Sequence, residues 1–139
     1  MPTPFQTTRL VEFHDTDMAG IMHFASFFTY MESAEHEFIR SLGLSIFTKI
    51  DGQSISFPRV AASCDYRSPA RCEDVLEIAV SIARLGTKSI SYRFDFTLDG
   101  REVAQGEMTC VCCVVSPDAP PRSISIPDDI ADLLRTHAA

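Results

Sequence analysis

The chain has 139 residues, 45% hydrophobic and 22% charged, with a formal net charge of −7. That is enough for one domain with a substantial core, residues 1–139, and too little for two. An acidic balance argues against nucleic acid as the main partner, because phosphate binding needs a basic footprint, but a few local Lys or Arg residues can still hold a small anionic ligand.

The start, Met1-Pro2-Thr3-Pro4, has neither the basic residues nor the apolar run of a secretory leader. No stretch approaches the roughly 18 apolar residues of a membrane span. The five cysteines are Cys64, Cys72, Cys110, Cys112 and Cys113. Their number is odd, and Cys110-Val111-Cys112-Cys113 lacks zinc-ligand spacing. They are expected to be reduced and mostly buried, in a cytoplasmic protein, with no metal bound.

Residues 5–14 read as a first strand of imperfect period two. An acidic turn follows, in which His14, Asp15, Asp17 and His23 crowd around Gly20. The spacing predicts a helix over 26–42, with Phe27, Tyr30, Met31, Ala34, Phe38, Ile39 and Leu42 on one apolar face. Glu32, Glu35, Glu37 and Arg40 are expected mostly on the other side, solvated or at a subunit contact. Ser26 is the expected N-cap and Gly43 the expected left-handed stop. An aromatic-rich face of this length needs a broad apolar surface to cover it, and a sheet would serve.

Residues 44–53 read as a connection, with Asp51-Gly52 as a turn signal. Strands are expected over 57–66, 74–85, 88–98 and 101–116. Pro69 breaks the first pair, and Gly86-Thr87 and Asp99-Gly100 turn the others. A loop over 117–121 and a short helix from Pro127 to near His137 complete the chain. The layout predicts an α+β fold with the long helix on a curved antiparallel sheet.

The stretch Glu12-Phe13-His14-Asp15-Thr16-Asp17-Met18-Ala19-Gly20-Ile21 resembles the active-site signature of the 4-hydroxybenzoyl-CoA thioesterase family, a strand end followed by D-x-D-x-x-G. Tyr66-Arg67-Ser68-Pro69-Ala70-Arg71-Cys72-Glu73-Asp74-Val75-Leu76 is similar to the family's Y-x-x-P-A-x-x-x-D-x-L junction. With the strand layout, the resemblance covers nearly the whole chain. It implies a hotdog fold, a long central helix wrapped by a curved five-stranded antiparallel sheet. It also implies an acyl-CoA thioesterase that releases free acid and CoA without a cofactor, working as a homodimer or homotetramer with sites at the interface.

Carried over residue by residue, the resemblance implies that Asp17 is catalytic. It implies that Gly20 lets the backbone approach the ligand, and that the backbone N–H of Phe24 or of its neighbour His23 polarises the thioester carbonyl. The family commonly has Tyr or His at the Phe24 position, whereas here the histidine stands one place earlier. Arg67, Arg71, Arg84 and Lys88 are candidates for CoA phosphates. Gly86-Thr87-Lys88-Ser89 resembles the family's CoA-contacting hairpin, which adds Ser89. Asp15 and His14 are expected to be structural, and His23 either lines the site or serves the local fold.

The residues make chemical sense of this. A thioester carbonyl is activated and its thiolate leaves readily. The site therefore needs a carboxylate to attack or to direct water, together with donors aimed at the developing oxyanion. A helix N-terminus offers free N–H groups and a positive dipole end. Asp15-Thr16-Asp17 could equally be a loop whose carboxylates cap its own backbone. Two other readings stay open: an acyl carrier protein as the thiol donor, which an acidic chain suits poorly, and a module that binds acyl thioesters without cleaving them.

Overall fold

The computed structural model describes residues 3–138. Met1 and Pro2, part of the start read above for a leader, lie outside the described residues, as does Ala139. In chain order the elements are β1 (Phe5–Leu10), a 3-10 turn (Phe13–Asp15), α1 (Ser26–Ser41), β2 (Thr48–Ile50), β3 (Gln53–Ser56), β4 (Arg59–Tyr66), β5 (Val75–Leu85), β6 (Ser89–Leu98), β7 (Arg101–Val111), β8 (Cys113–Ser116), β9 (Ala119–Ser123) and α2 (Asp128–Arg135).

The class is α+β. One antiparallel sheet has the order β1-β5-β6-β7-β4, and a second has the order β2-β3-β8-β9. The second sheet corrects the expectation of a single five-stranded one. Residues 44–53, expected as a connection, carry β2 and the turn into β3, strands of three and four residues that are too short for a period of two to register. The strand expected over 101–116 is divided at Cys112. The Cys112 N–H donates to the Lys88 carbonyl at 2.7 Å, and the chain passes there from the first sheet into the second. The loop expected over 117–121 falls partly in β9, where Pro120 and Pro121 are tolerated because β9 is an edge strand.

The alternating strands fold as their periodicity dictates. Leu76, Ile78, Val80 and Ile82 of β5 and Ile90, Tyr92, Phe94 and Phe96 of β6 are all buried, while the residues between them are more exposed. Helix α1 packs on this apolar face, with Phe27 edge-on to Phe96 and Phe38 edge-on to Tyr92, at centroid separations of 5.3 and 6.3 Å. Met31 fills a socket over Gly106 of β7, where any Cβ would collide with the Met31 sulfur. The helix stops as predicted: the Gly43 N–H donates to Arg40 O and the Leu44 N–H to Ile39 O, at 3.0 and 3.2 Å.

This frame decides what can meet at a site. Leu10 at the end of β1 pairs with Val75 at the start of β5, so the acidic turn after β1 sits at that end. Leu85 pairs with Ile90 at the other end. The 11 residues of β5 hold the two ends about 35 Å apart.

Candidate active site

Residues 16–22 form a small hairpin closed by a bridge between Thr16 and Met22. The Asp17 N–H donates to Ile21 O and the Gly20 N–H to Asp17 O, both at 3.0 Å. Gly20 has φ +78°, the left-handed conformation that ends this kind of three-residue hairpin loop, so a side chain there would be strained. Arg71 Nη1 lies 3.4 Å from the Gly20 carbonyl, and the Met22 N–H donates to Ala70 O at 2.7 Å. The two motifs quoted above, some fifty residues apart in the chain, are thus hydrogen-bonded to each other.

Asp17 is half-buried. Its Oδ1 accepts the Ala19 N–H at 2.9 Å, which secures the turn, and Oδ2 makes no hydrogen bond among the described residues. Capping and chemistry are therefore compatible in one side chain.

The helix entry is settled amide by amide. His23 N–H donates to Asp15 O at 2.7 Å, Ala25 N–H to His23 Nδ1 at 3.0 Å, and Ser26 N–H to His23 O at 3.0 Å. Among the described residues only Phe24, of these four, has an N–H without an acceptor. Of the two donors considered from sequence, the His23 amide is engaged and the Phe24 amide is free. Because His23 Nδ1 accepts, the neutral ring carries its proton on Nε2. The ring stacks on Phe24 at 4.5 Å. Ser26 does not cap the helix: it is the first helical residue, Ala25 is the N-cap, and the Ser26 hydroxyl donates to Asp15 O at 3.1 Å.

Asp15, expected to be structural, is the hub of this arrangement. It is 9% exposed. Its Oδ2 accepts the Glu12 N–H at 3.0 Å and the Tyr30 hydroxyl at 2.6 Å. The Tyr66 hydroxyl donates to Phe24 O at 2.9 Å and ties β4 to the same entry.

The proposed CoA contacts divide. Arg71 stands at the turn, and Arg67 is exposed nearby, 3.8 Å from Glu102. Lys88 and Ser89 lie at the far end of β5, and Arg84 lies close to that end, so one chain does not bring any of them to Asp17. The buried cysteines take no part: burial pushes the Cys110 thiol up to about 12 and Cys112 to about 11, so both stay protonated. All five cysteines are free thiols, and Cys72 is exposed.

A feature missed from sequence is a cavity of about 530 Å³ between the C-terminal half of α1 and the second sheet, with Phe47, Phe57, Tyr92 and Val115 among its lining. Glu35 and Arg59 stand in its wall as a bidentate pair, at 2.9 and 2.5 Å. Glu35 is 3% exposed, which corrects the expectation that it faces outward. Its spacing held the signal, since it lies four residues after Met31 and three before Phe38, but its charge argued the other way. Burial works against the Arg59 charge, yet the hydrogen bonds and attraction of Glu35 outweigh it and hold the Arg59 pKa above that of an ordinary arginine.

A helix laid on an antiparallel sheet, with a carboxylate turn before the helix entry, is the architecture of the hotdog-fold thioesterases that this chain resembles. Residues 11–134 match the Thioesterase-like superfamily, and the chain belongs to it. It is 29% identical to a 1,4-dihydroxy-2-naphthoyl-CoA hydrolase of Nostoc punctiforme over 96% of this chain and 88% of that protein. Among solved structures it resembles a gentisyl-coenzyme A thioesterase, with a TM-score of 0.82, 29% identity and coverage of 94% and 99% of the two chains. A 1,4-dihydroxy-2-naphthoyl-CoA thioesterase from Synechocystis shares the fold, with a TM-score of 0.84, 22% identity and coverage of 94% and 95%.

Proposed function

We propose that this chain hydrolyses acyl-CoA thioesters to free acid and CoA. The observation that carries the reading is the pairing, on one short hairpin and the helix entry after it, of a carboxylate with an open oxygen at Asp17 and a free amide at Phe24. Asp17 attacks the carbonyl or directs water to it. The Phe24 amide, at the positive end of α1, receives the oxyanion. The thiolate leaves unaided, so the chemistry calls for no metal or other cofactor. Arg71 is the proposed contact to the CoA arm at this end. A module that only binds thioesters would have no need of the open carboxylate.

The acyl group we place is a hydroxylated aromatic one. The curated relative and the gentisyl-coenzyme A thioesterase are both named for such acids. The cavity offers aromatic walls at Phe47, Phe57 and Tyr92, with the Glu35–Arg59 pair as hydrogen-bonding ground for a ring hydroxyl.

A homodimer completes this arrangement. β4 is an edge strand with Val60 63% exposed, the kind of edge that pairs with another copy. Antiparallel pairing about a two-fold axis sets the Arg59 end of one β4 beside the Tyr66 end of the other. That brings one copy's cavity toward the other copy's Asp17 hairpin, and offers a route for Lys88 and Ser89 to reach a CoA bound across the interface. Static light scattering is expected to give twice the chain mass or a multiple of it. A monomer at assay concentration that hydrolyses substrate overturns the composite site.

The free thiols support a cytoplasmic location. Among the described residues, no helix is long and apolar enough to cross a membrane.

The test is CoA release across a panel of acyl-CoAs, followed by chromatography because Cys72 would react with a thiol reagent. Hydroxybenzoyl and hydroxynaphthoyl thioesters are expected to exceed the unsubstituted aroyl and straight-chain ones in kcat/KM by about tenfold, the scale of one hydrogen bond to a charged group. Binding of CoA with no release from any thioester would remove the enzyme reading. Equal rates with and without the hydroxyl would remove only the acyl assignment.

A further inference from the structure

The free Phe24 amide depends on how the chain enters α1, and that entry is held from below by a side chain outside both sequence motifs. Tyr30 lies on the buried face of α1, just over one turn in from Ser26. Its hydroxyl is 2.6 Å from Asp15 Oδ2 and 3.1 Å from the Leu10 carbonyl. A hydroxyl has one proton, and the closer, charged carboxylate is the better acceptor. Asp15 Oδ2 also accepts the Glu12 N–H, so the carboxylate is fixed from two sides. The carbonyl of the same residue then accepts the His23 N–H at 2.7 Å and the Ser26 hydroxyl at 3.1 Å. Those bonds engage the His23 amide and the Ser26 hydroxyl on either side of Phe24, whose own N–H is left unclaimed.

We infer that Tyr30 is a positioning residue for thioester hydrolysis: through Asp15 it holds residues 23–26 in the arrangement that keeps the Phe24 amide available to the oxyanion. The inference rests on the reading of Phe24 as the oxyanion donor. Tyr30 touches neither substrate nor reacting atoms, and its effect reaches the site through one side chain and one carbonyl. Burial, followed by the hydrogen bond to Asp15, pushes the Tyr30 pKa well above that of an ordinary tyrosine. The hydroxyl therefore remains a donor at any pH at which the enzyme would be assayed. The charged groups near it are Asp15 and Glu12, which hold the proton on, and Arg9, which opposes them more weakly.

Tyr30→Phe keeps the ring and its packing and removes only the hydroxyl. It is expected to lower kcat by about tenfold with KM changed less than about twofold, the split of an interaction that matters only in the transition state. Asp15→Asn, whose side-chain carbonyl can still accept from Tyr30 and Glu12, is expected to keep most of kcat, whereas Asp15→Ala falls to the Tyr30→Phe level or below. The readout independent of turnover is the Phe24 amide proton, followed by NMR with a ketone analogue of the acyl-CoA in which a methylene replaces the sulfur. In the wild type this proton is expected to move downfield on binding, and in Tyr30→Phe the movement shrinks. No movement in the wild type removes the Phe24 donor reading itself. Movement in the wild type, with Tyr30→Phe unchanged in both shift and kcat, overturns the inference about Tyr30. Loss of kcat in Tyr30→Phe that only tracks a loss of folded protein also overturns it. Where Tyr30→Phe does not fold, the contrast between Asp15→Asn and Asp15→Ala decides, and equal activity of the two counts against the inference.

Discussion

Asp17→Asn is expected to lower kcat for acyl-CoA hydrolysis by about two orders of magnitude or more, the scale of a removed acid–base or nucleophilic group. The substitution is chosen because the local structure tolerates it. Asp17 Oδ1 accepts the Ala19 N–H, and an asparagine oxygen can accept the same bond. The bonds that close the hairpin, Asp17 N–H to Ile21 O and Gly20 N–H to Asp17 O, are backbone bonds and survive. What is lost is the negative charge and the open second oxygen. KM is therefore expected to change little, and the loss to fall on kcat. Full activity in Asp17→Asn would move the chemistry to another carboxylate and leave the family unchanged. Isotope labelling then separates the two mechanisms. In a single turnover in 18O water, label found in the Asp17 side chain identifies a nucleophilic Asp17 whose anhydride is hydrolysed at the aspartyl carbonyl. A general base sends the label only into the product acid.

Much of this site is legible in the sequence because it is local. The D-x-D-x-x-G stretch, the glycine at positive φ and the helix that follows lie within one short segment, where turn chemistry and helix periodicity speak directly. The alternation of β5 and β6 is equally plain, since every second residue from Leu76 to Ile82 and from Ile90 to Phe96 is apolar and buried. What was hidden depends on partners distant in the chain. Glu35 is buried because Arg59, 24 residues later, meets it. A charged residue on a helix face reads as solvated until its partner is known. Tyr30 reads as core, and its hydroxyl gains a role only when Asp15 folds under it. The choice between the His23 and Phe24 amides is local, but it is made only by subtraction, once the bonds of their neighbours are known. The second sheet was hidden for another reason: its strands are so short, and β9 so rich in proline, that pairing rather than pattern defines them.

Arg59→Ala is expected to destabilise the protein by about 3 kcal/mol, lowering the unfolding midpoint by roughly 10 °C. The loss comes from what is left behind. Glu35 has a side chain 5% exposed and both oxygens on Arg59. Without the arginine its nearest cationic group is His36, with Nε2 at 3.4 Å, charged only if protonated. A buried carboxylate that has lost its bidentate partner carries a desolvation cost that one imidazole contact does not offset. The figure is set at the low end of the range for broken buried pairs because the Arg59 side chain is 29% exposed, so water can follow it out through the cavity. The double variant Glu35→Met/Arg59→Leu removes both charges at similar volume and is expected to recover most of the stability. A melting point for Arg59→Ala within about 2 °C of the wild type would show that the pair is not a structural tie. A double variant no more stable than the single would show that the loss comes from packing rather than from an orphaned charge. The same double variant separates structure from recognition. It keeps the Asp17 hairpin and the Phe24 amide, so unsubstituted aroyl-CoAs should still be cleaved. Its advantage for ring-hydroxylated ones should disappear, because the cavity wall would then offer a hydroxyl nothing to bond.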